Sequence, residues 1–536
     1  MKRITILLFL IACTGAMQAQ QSYTYELDKY ATQESSFDDC RPDQRTDLEN
    51  TFVYQVRHHA ALFDWLVNDT TSTYAYLKRR ELGVVSLGMK MRRHQGDYLF
   101  YDGRNRIAGE LLAGSHFSLK GNGTLFGMAS YQQRNTDDIW LNYATHPEDY
   151  APYFVGDSLT TGDTHQEIYT VKGGYSRQLG SYHLGVDALY EGIAEHRSTN
   201  PRYANYSYWL RLAFNSAWTK GRNLISVRAY PELNRQSISA STFLNSTKYF
   251  QFYGFGQWNR RETTGSGAYA RNQQIWGGGA ELLYVYSGAW KWSAQLVYNY
   301  RKITTEEHNF KNLFEAPTHT WRGQVSAIRP IGPHAFYMQL SAFAQRSQGK
   351  ENVYENQIQD EEQKLFDYIL VGHNSFYHRR HTGIDWRGKM RWDAGNHHSL
   401  HLMAGVGYTN RDERYDMPYI HTNSQNLLPT VAVGYHKHHP RYTLECNASA
   451  QFQCNVDNTF RYDTFQDNIF TQAIAVTPHH LQSANSQALQ ADVFYAHSIG
   501  KRYSLGVKGA VGYLHSDYQK QLQVEVGVKF LFDTGR

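Results

Sequence analysis

Gly156-Asp157-Ser158-Leu159 spells the tetrapeptide that surrounds the nucleophilic serine of one class of ester hydrolases. Such a serine needs a histidine to take its proton, and that histidine needs an aspartate, three positions before it in this class, to orient it. No Asp in this chain has a His three residues on. The tetrapeptide also lies in a long polar stretch, not at a strand-to-helix elbow, so the chain reads as a non-enzyme. The other chemistry on offer is imidazole. Of the 25 histidines, His397 and His398 share one short joint, and His436, His438 and His439 share the next. Two neighbouring joints can bring imidazoles together around zinc. Yet no Cys or carboxylate stands at ligand spacing beside them, and rings with an apolar body and a polar tip sit comfortably at an interface. Neither a metal nor a cofactor is expected.

Two further sets would act by lining or binding. Arg211, Lys291, Arg301 and Lys508, with Asp187, Glu191, Glu281 and Glu445, fall at alternate positions of extended segments. All would face one side, and mixed signs there suit an aqueous wall without strong ion preference. The stretch 236–273 carries Tyr249, Phe252, Tyr253 and Trp258 among other aromatics. Presented outward, these would stack on sugars, contact lipopolysaccharide or seat a partner protein. Folded inward, the same rings would make a small core. Both readings stand.

The elements that must position these residues are strands. In Tyr442 to Cys454 the apolar set is Tyr442, Leu444, Cys446, Ala448, Ala450, Phe452 and Cys454, interleaved with Thr443, Glu445, Asn447, Ser449, Gln451 and Gln453. A period of two sustained this long exceeds an ordinary globular strand of about 5–6 residues and fits a tilted strand crossing a bilayer. Trp290 to Arg301, Tyr503 to Tyr513 and Gln523 to Phe532 repeat the pattern, often with aromatics at the strand ends. Short joints rich in turn residues, such as Leu179-Gly180 and Lys220-Gly221-Arg222-Asn223, alternate with longer polar stretches at 134–165, 196–203, 236–273, 304–317, 348–375, 413–423 and 459–480. Short turns on one side and long loops on the other are the habit of outer-membrane barrels. The segment 246–258 is placed in an outer loop, though it also reads as strand. The expectation is an all-β, antiparallel up-and-down transmembrane barrel over 83–536, with about 18 strands (16–20). A barrel of that size encloses more room than side chains fill.

The first residues read as an export signal. Lys2 and Arg3 precede an apolar run, Ile4 to Ala12, and cleavage falls after Ala19. Leu10-Ile11-Ala12-Cys13 also has the order used for lipid attachment. Residues 20–82 follow helical spacing through Leu48, Phe52, Val56, Ala60, Phe63 and Val67, opened by a capping box from Thr46 to Glu49. This amphipathic segment is periplasmic or folds into the lumen as a hatch, with Leu48, Phe52, Val56 and Phe63 seated on the wall. Cys446 and Cys454 are eight positions apart on one strand, about 26 Å, too far to bridge. Without Lys2 and Arg3, 52 basic residues face 49 acidic ones, too balanced for nucleic acid. The 41 Tyr and 11 Trp suit interfacial girdles. Expected partners are outer-membrane lipid and lipopolysaccharide, the barrel-assembly machinery, and a surface or periplasmic protein.

The short export signal, the helical stretch, the strand–loop rhythm and Pro152 to Asp163, opening Pro-Tyr-Phe-Val-Gly-Asp-Ser, resemble an uncharacterised Bacteroides-type outer-membrane barrel family, allied to porin-like and fatty-acid-transporter-like barrels. The resemblance covers most of the mature chain and implies an integral outer-membrane protein of Gram-negative cells with no established substrate. TonB-dependent receptors would carry a long plug domain and a TonB box, for which residues 20–82 are too few. Function then divides between a channel or gated transporter for small molecules and a non-conducting scaffold barrel of a surface complex.

Overall fold

A computed structural model describes residues 82–533, apart from 120–122, 158–160, 242–247, 254, 256–259, 265–267, 308–310, 333, 361–364, 396–397, 440, 464–467 and 500–502. The barrel strands are β1 (Leu82–Gly96), β2 (Asn105–Leu119), β3 (Gly123–Ile139), β4 (Gly162–Leu179), β5 (Tyr182–Arg197), β6 (Arg202–Lys220), β7 (Asn223–Ser241), β8 (Ala268–Ser287) and β9 (Lys291–Glu307). They continue as β10 (Lys311–Ile331), β11 (His334–Gln348), β12 (Tyr377–Asp393), β13 (His398–Asp416), β14 (Tyr419–His439), β15 (Tyr442–Tyr462), β16 (Ser486–Ile499), β17 (Tyr503–Ser516) and β18 (Gln519–Asp533). Each pairs antiparallel with the next. β1 then pairs with β18, from Leu82↔Asp533 to Gly96↔Gln519, so the sheet closes without an edge. The result is a closed 18-strand antiparallel barrel.

Period-two alternation decides which face is which. On β7, Ser226, Arg228, Glu232, Asn234 and Gln236 are buried toward the lumen, while Ile225 and Val227 are exposed on the outer surface. β1 shows Leu87, Met89 and Met91 outward, and β14 shows Val431 and Val433. Leu87 is 62% exposed, which would be costly in water but is favourable against hydrocarbon. Outward aromatics flank this belt. Tyr182, Trp292, Tyr495 and Tyr503 lie toward one end, and Tyr169, Tyr206 and Trp276 toward the other. Cys446 is half-buried and Cys454 exposed, both on the outward face of β15.

Two-residue turns close one end of the barrel. Leu179↔Tyr182 and Lys220↔Asn223 bracket Gly180 and Gly221, whose φ of +65° and +59° lie in the left-handed region that glycine tolerates. The other end carries the long connections, but two stretches expected as loops, 304–317 and 413–423, are mostly paired strand, with Glu307 opposite Lys311 in the first. The polar stretch 413–423 is not a loop, because Asp416 pairs with Tyr419 and the two strands run on past the belt.

Within 246–258, Lys248–Phe252 lies outside the wall, forming a separate three-stranded sheet with Val155–Asp157 and Arg260–Thr264. Within 348–375, Lys350–Asp360 and Leu365–Asn374 form a hairpin that rises from the rim while β11 pairs directly with β12. Past β15, Asn468 caps a helical run, Ile469–Thr471, Gln472–Val476 and Thr477–Ser483, by accepting from Phe470 N and Thr471 N.

Candidate lumenal site

Inward positions of β5 to β9 carry Asp187, Glu191 and Arg197 on β5, Arg211 on β6, Arg228 and Glu232 on β7, Glu281 on β8 and Arg301 on β9. Strand register sets Arg211 opposite Glu232 and Arg228 opposite Glu281. Arg228, 1% exposed, bridges Asp187 at 3.2 Å and Glu281 at 2.8 Å. Glu232 takes Arg211 at 3.1 Å and Arg301 at 2.7 Å. The Tyr230 ring lies against the guanidiniums of Arg211 and Arg228. Burying charge is tolerated only when it is paired and hydrogen-bonded, and these groups meet that condition through one another.

The connection 140–157 does not stand out into solvent. It turns into the barrel, and Tyr143, Tyr150 and Tyr153 are fully buried. Its attachment to the β5–β9 wall is both apolar and polar: Tyr150 and Tyr153 pack with Trp209, Ile275 and Ile303, and Tyr143 and Val155 with Tyr203, Ile238 and Ala240. Tyr150 Oη donates to Asn234 Oδ1 at 2.5 Å, Thr145 N to Gln236 Oε1 at 3.0 Å, and Asn205 Nδ2 to the Tyr143 carbonyl at 2.8 Å. His146 Nε2 lies 3.0 Å from Glu191 Oε1, and Asp149 Oδ1 3.5 Å from Arg301 Nη1. Asp157 accepts from Tyr143 Oη at 2.7 Å and pairs with Arg197 at 2.5 Å. Toward the mouth an apolar cluster of Phe100, Leu141, Phe154, Phe250, Phe252, Phe470 and Ile474 joins four connections into one lid.

On its far side the loop leaves a cavity of about 180 Å³ against the opposite wall, lined in part by Arg92, Asp102, Glu148, Arg379, Arg411 and Glu413. Burial alone would raise the Asp102 carboxyl, but Arg92, at 3.1 Å, and Arg106 hold it below its ordinary value. Burial pushes His479 down to about 4, with His480 adding to it, so the cavity edge there is a neutral imidazole near pH 7. The walls present both signs, amides and aromatic rings, which suits a small polar solute.

The residues singled out from sequence are distributed unevenly. Arg211, Arg301 and Glu445 face inward and are largely buried, and Lys508 faces inward 2.6 Å from Glu525. Lys291 is half-buried near the short-turn end. The outer-loop aromatics are not offered to solvent. Phe252 packs on Phe250 and Phe470, Tyr249 beside Tyr143, and Tyr253 beside Tyr153, because their loop lies inside the mouth. Trp258 falls outside the described residues, as do Ser158 and the hatch positions Leu48, Phe52, Val56 and Phe63. The histidines of the short joints take separate partners: His398 bonds the Tyr435 hydroxyl, His436 bonds Asn447, and His439 stacks on Tyr442. Arg228 and Glu232 were within reach of the alternation along β7. His146, Glu148 and Asp149 sit in a loop without period, and no spacing rule reaches them.

Closed strand ladder, apolar belt, aromatic flanks and polar lumen together define an outer-membrane-type β-barrel. The chain belongs to a family of unknown function, DUF6850, whose model matches residues 71–532. A search of curated proteins finds no match. Among solved structures, the ferric enterobactin receptor PfeA of Pseudomonas aeruginosa is similar over 84% of this chain and 82% of its own, at 8% identity and a TM-score of 0.36. The ferric-catecholate import receptor Fiu of E. coli K12 is similar over 83% and 81%, at 6% identity and a TM-score of 0.36. The ferric preacinetobactin receptor BauA of Acinetobacter baumannii is similar over 84% and 80%, at 8% identity and the same score.

Proposed function

We propose that this protein sits in the outer membrane and passes small polar molecules through its lumen, with the inward-folded connection 140–157 as the gate. One observation carries this reading: the obstruction is a separate segment, not a strand of the wall, seated by hydrogen bonds and ion pairs together with the apolar contacts of Tyr143, Tyr150 and Tyr153. An 18-strand wall leaves a water-filled bore unless something else occupies it. Here the occupant is a loop, and the hydrogen bonds and ion pairs of its seat can exchange with water. The apolar lid at the mouth closes the same path and supports the alternative of a non-conducting scaffold. Lipid and lipopolysaccharide meet the outer belt in either case.

Conductance across a planar bilayer separates the two. The transport reading expects small, flickering currents from the intact protein and larger, steady ones when 141–156 is replaced by a short Gly-Ser linker. Silence from both proteins, with the barrel shown assembled by heat-modifiable mobility, would leave the scaffold.

A further inference from the structure

His146, Glu148 and Asp149 each point one ligand-capable atom into a common space, with all three atoms within 4.8 Å of one another. We propose that this cluster binds a divalent first-row transition metal such as zinc, with Glu191 of β5 holding the His146 imidazole from the wall, so that the ion latches the inward loop to the barrel.

Ligand distances fit this. Nitrogen and oxygen donors sit about 2.0–2.2 Å from zinc, which places neighbouring donors roughly 3–4 Å apart. Glu191 Oε1 stands 3.0 Å from His146 Nε2, the outer carboxylate contact that commonly orients a ligating imidazole. Binding would draw the three donors, now within 4.8 Å of one another, to ligand spacing. Charge agrees. Two carboxylates, Glu148 and Asp149, stand with the imidazole, and anionic oxygens beside a ring nitrogen suit a divalent cation. The imidazole sets the class of ion, because calcium and magnesium prefer all-oxygen shells whereas a nitrogen donor with carboxylates suits zinc and its neighbours. Access is provided by Glu148, which borders the cavity and is only half-buried. The latch goes beyond the transport reading and stands without it, since a scaffold barrel would hold the same ion.

The test uses the full-length protein in detergent, equilibrated with zinc, dialysed, and measured by elemental mass spectrometry beside His146→Ala and Glu148→Gln. Only heat-modifiable, assembled barrel is counted; if His146→Ala does not assemble, Glu148→Gln carries the comparison. Wild type is expected to retain one equivalent of zinc more than either variant, with at least a tenfold weaker Kd in each. Cobalt(II) should give a visible absorption band that the variants lack, and should quench Trp209, whose ring centre is 6.1 Å from that of His146. Equal zinc retention by wild type and variants would place the binding on other histidines and overturn the site. Displacement of zinc by equimolar calcium would overturn the ion class.

Discussion

Arg197 of the barrel wall and Asp157 of the inward loop form an ion pair at 2.5 Å whose two side chains are 1% and 2% exposed. The Arg197 guanidinium also donates to the Pro201 carbonyl at 2.8 Å, and Tyr143 donates to the same carboxylate. Removing one member of a buried pair leaves the other charge uncompensated, at a cost of about 3–5 kcal/mol. Asp157→Asn should therefore unseat the loop while the strand ladder, which closes on itself, stays intact. The expected result is faster proteolytic nicking within 140–157 and unchanged heat-modifiable mobility. Nicking at the wild-type rate would show that the apolar lid alone holds the loop.

A second prediction concerns the membrane face. Ala448 lies on the outward row of β15 with Phe452 and Cys454, and Ser449 on the inward row with Glu445 and Gln451. Ala448→Arg should cost about 2–4 kcal/mol of barrel stability, the penalty for a guanidinium near the bilayer midplane. Ser449→Arg should fold nearly normally in a lumen that accepts charge. Denaturant titration of the barrel in lipid vesicles measures both. The reverse order would mean a one-residue slip of register.

This strand shows what the sequence made legible and why. Alternation along 442–454 is enough to assign both faces, since a strand has only two and the outer one must be apolar. The strand number followed from the same rhythm. Loop placement did not, because aromatics such as Phe252 carry no period, and burial under a lid depends on contacts with Phe154 and Phe470 from distant connections. The hairpin turn at Met417-Pro418 was hidden for a different reason. Both strands beside it extend past the apolar belt and turn polar, so Glu413 to Tyr415 looks like loop in composition while pairing as strand.

The rim hairpin should respond to pH. Burial pushes Glu351 up to about 7, and the Tyr415 hydroxyl, 2.8 Å from both its oxygens, pulls it partly back. Tyr153 and Tyr377 pack nearby and place no cation against it. A carboxyl raised on folding binds its proton more tightly in the folded state, so stability falls as pH rises through the window from its ordinary value to about 7. The hairpin 350–374 should then exchange amide hydrogens more slowly at pH 5 than at pH 8, after correction for intrinsic rates. Glu351→Gln should abolish that difference. A pH dependence that survives the substitution would assign it to another group.

The last prediction separates two possible obstructions. Residues 20–82 have the spacing of an amphipathic helix, and if they form a hatch, Leu48, Phe52, Val56 and Phe63 meet the inner wall. The loop 140–157 already occupies the lumen from the other end, pinned at Asp149, Asp157 and Tyr150. Two plugs in series conduct no better when one is withdrawn. Deleting Gln20 to Asn68 alone should therefore change conductance little. Replacing 141–156 alone should open the bore only as far as a hatch permits. Both changes together should give the full conductance of an 18-strand bore, well above the sum of the single effects. If the loop replacement alone reaches that level, residues 20–82 lie outside the lumen as a periplasmic segment, and polar substitutions at Phe52 and Phe63 should then leave the current unchanged.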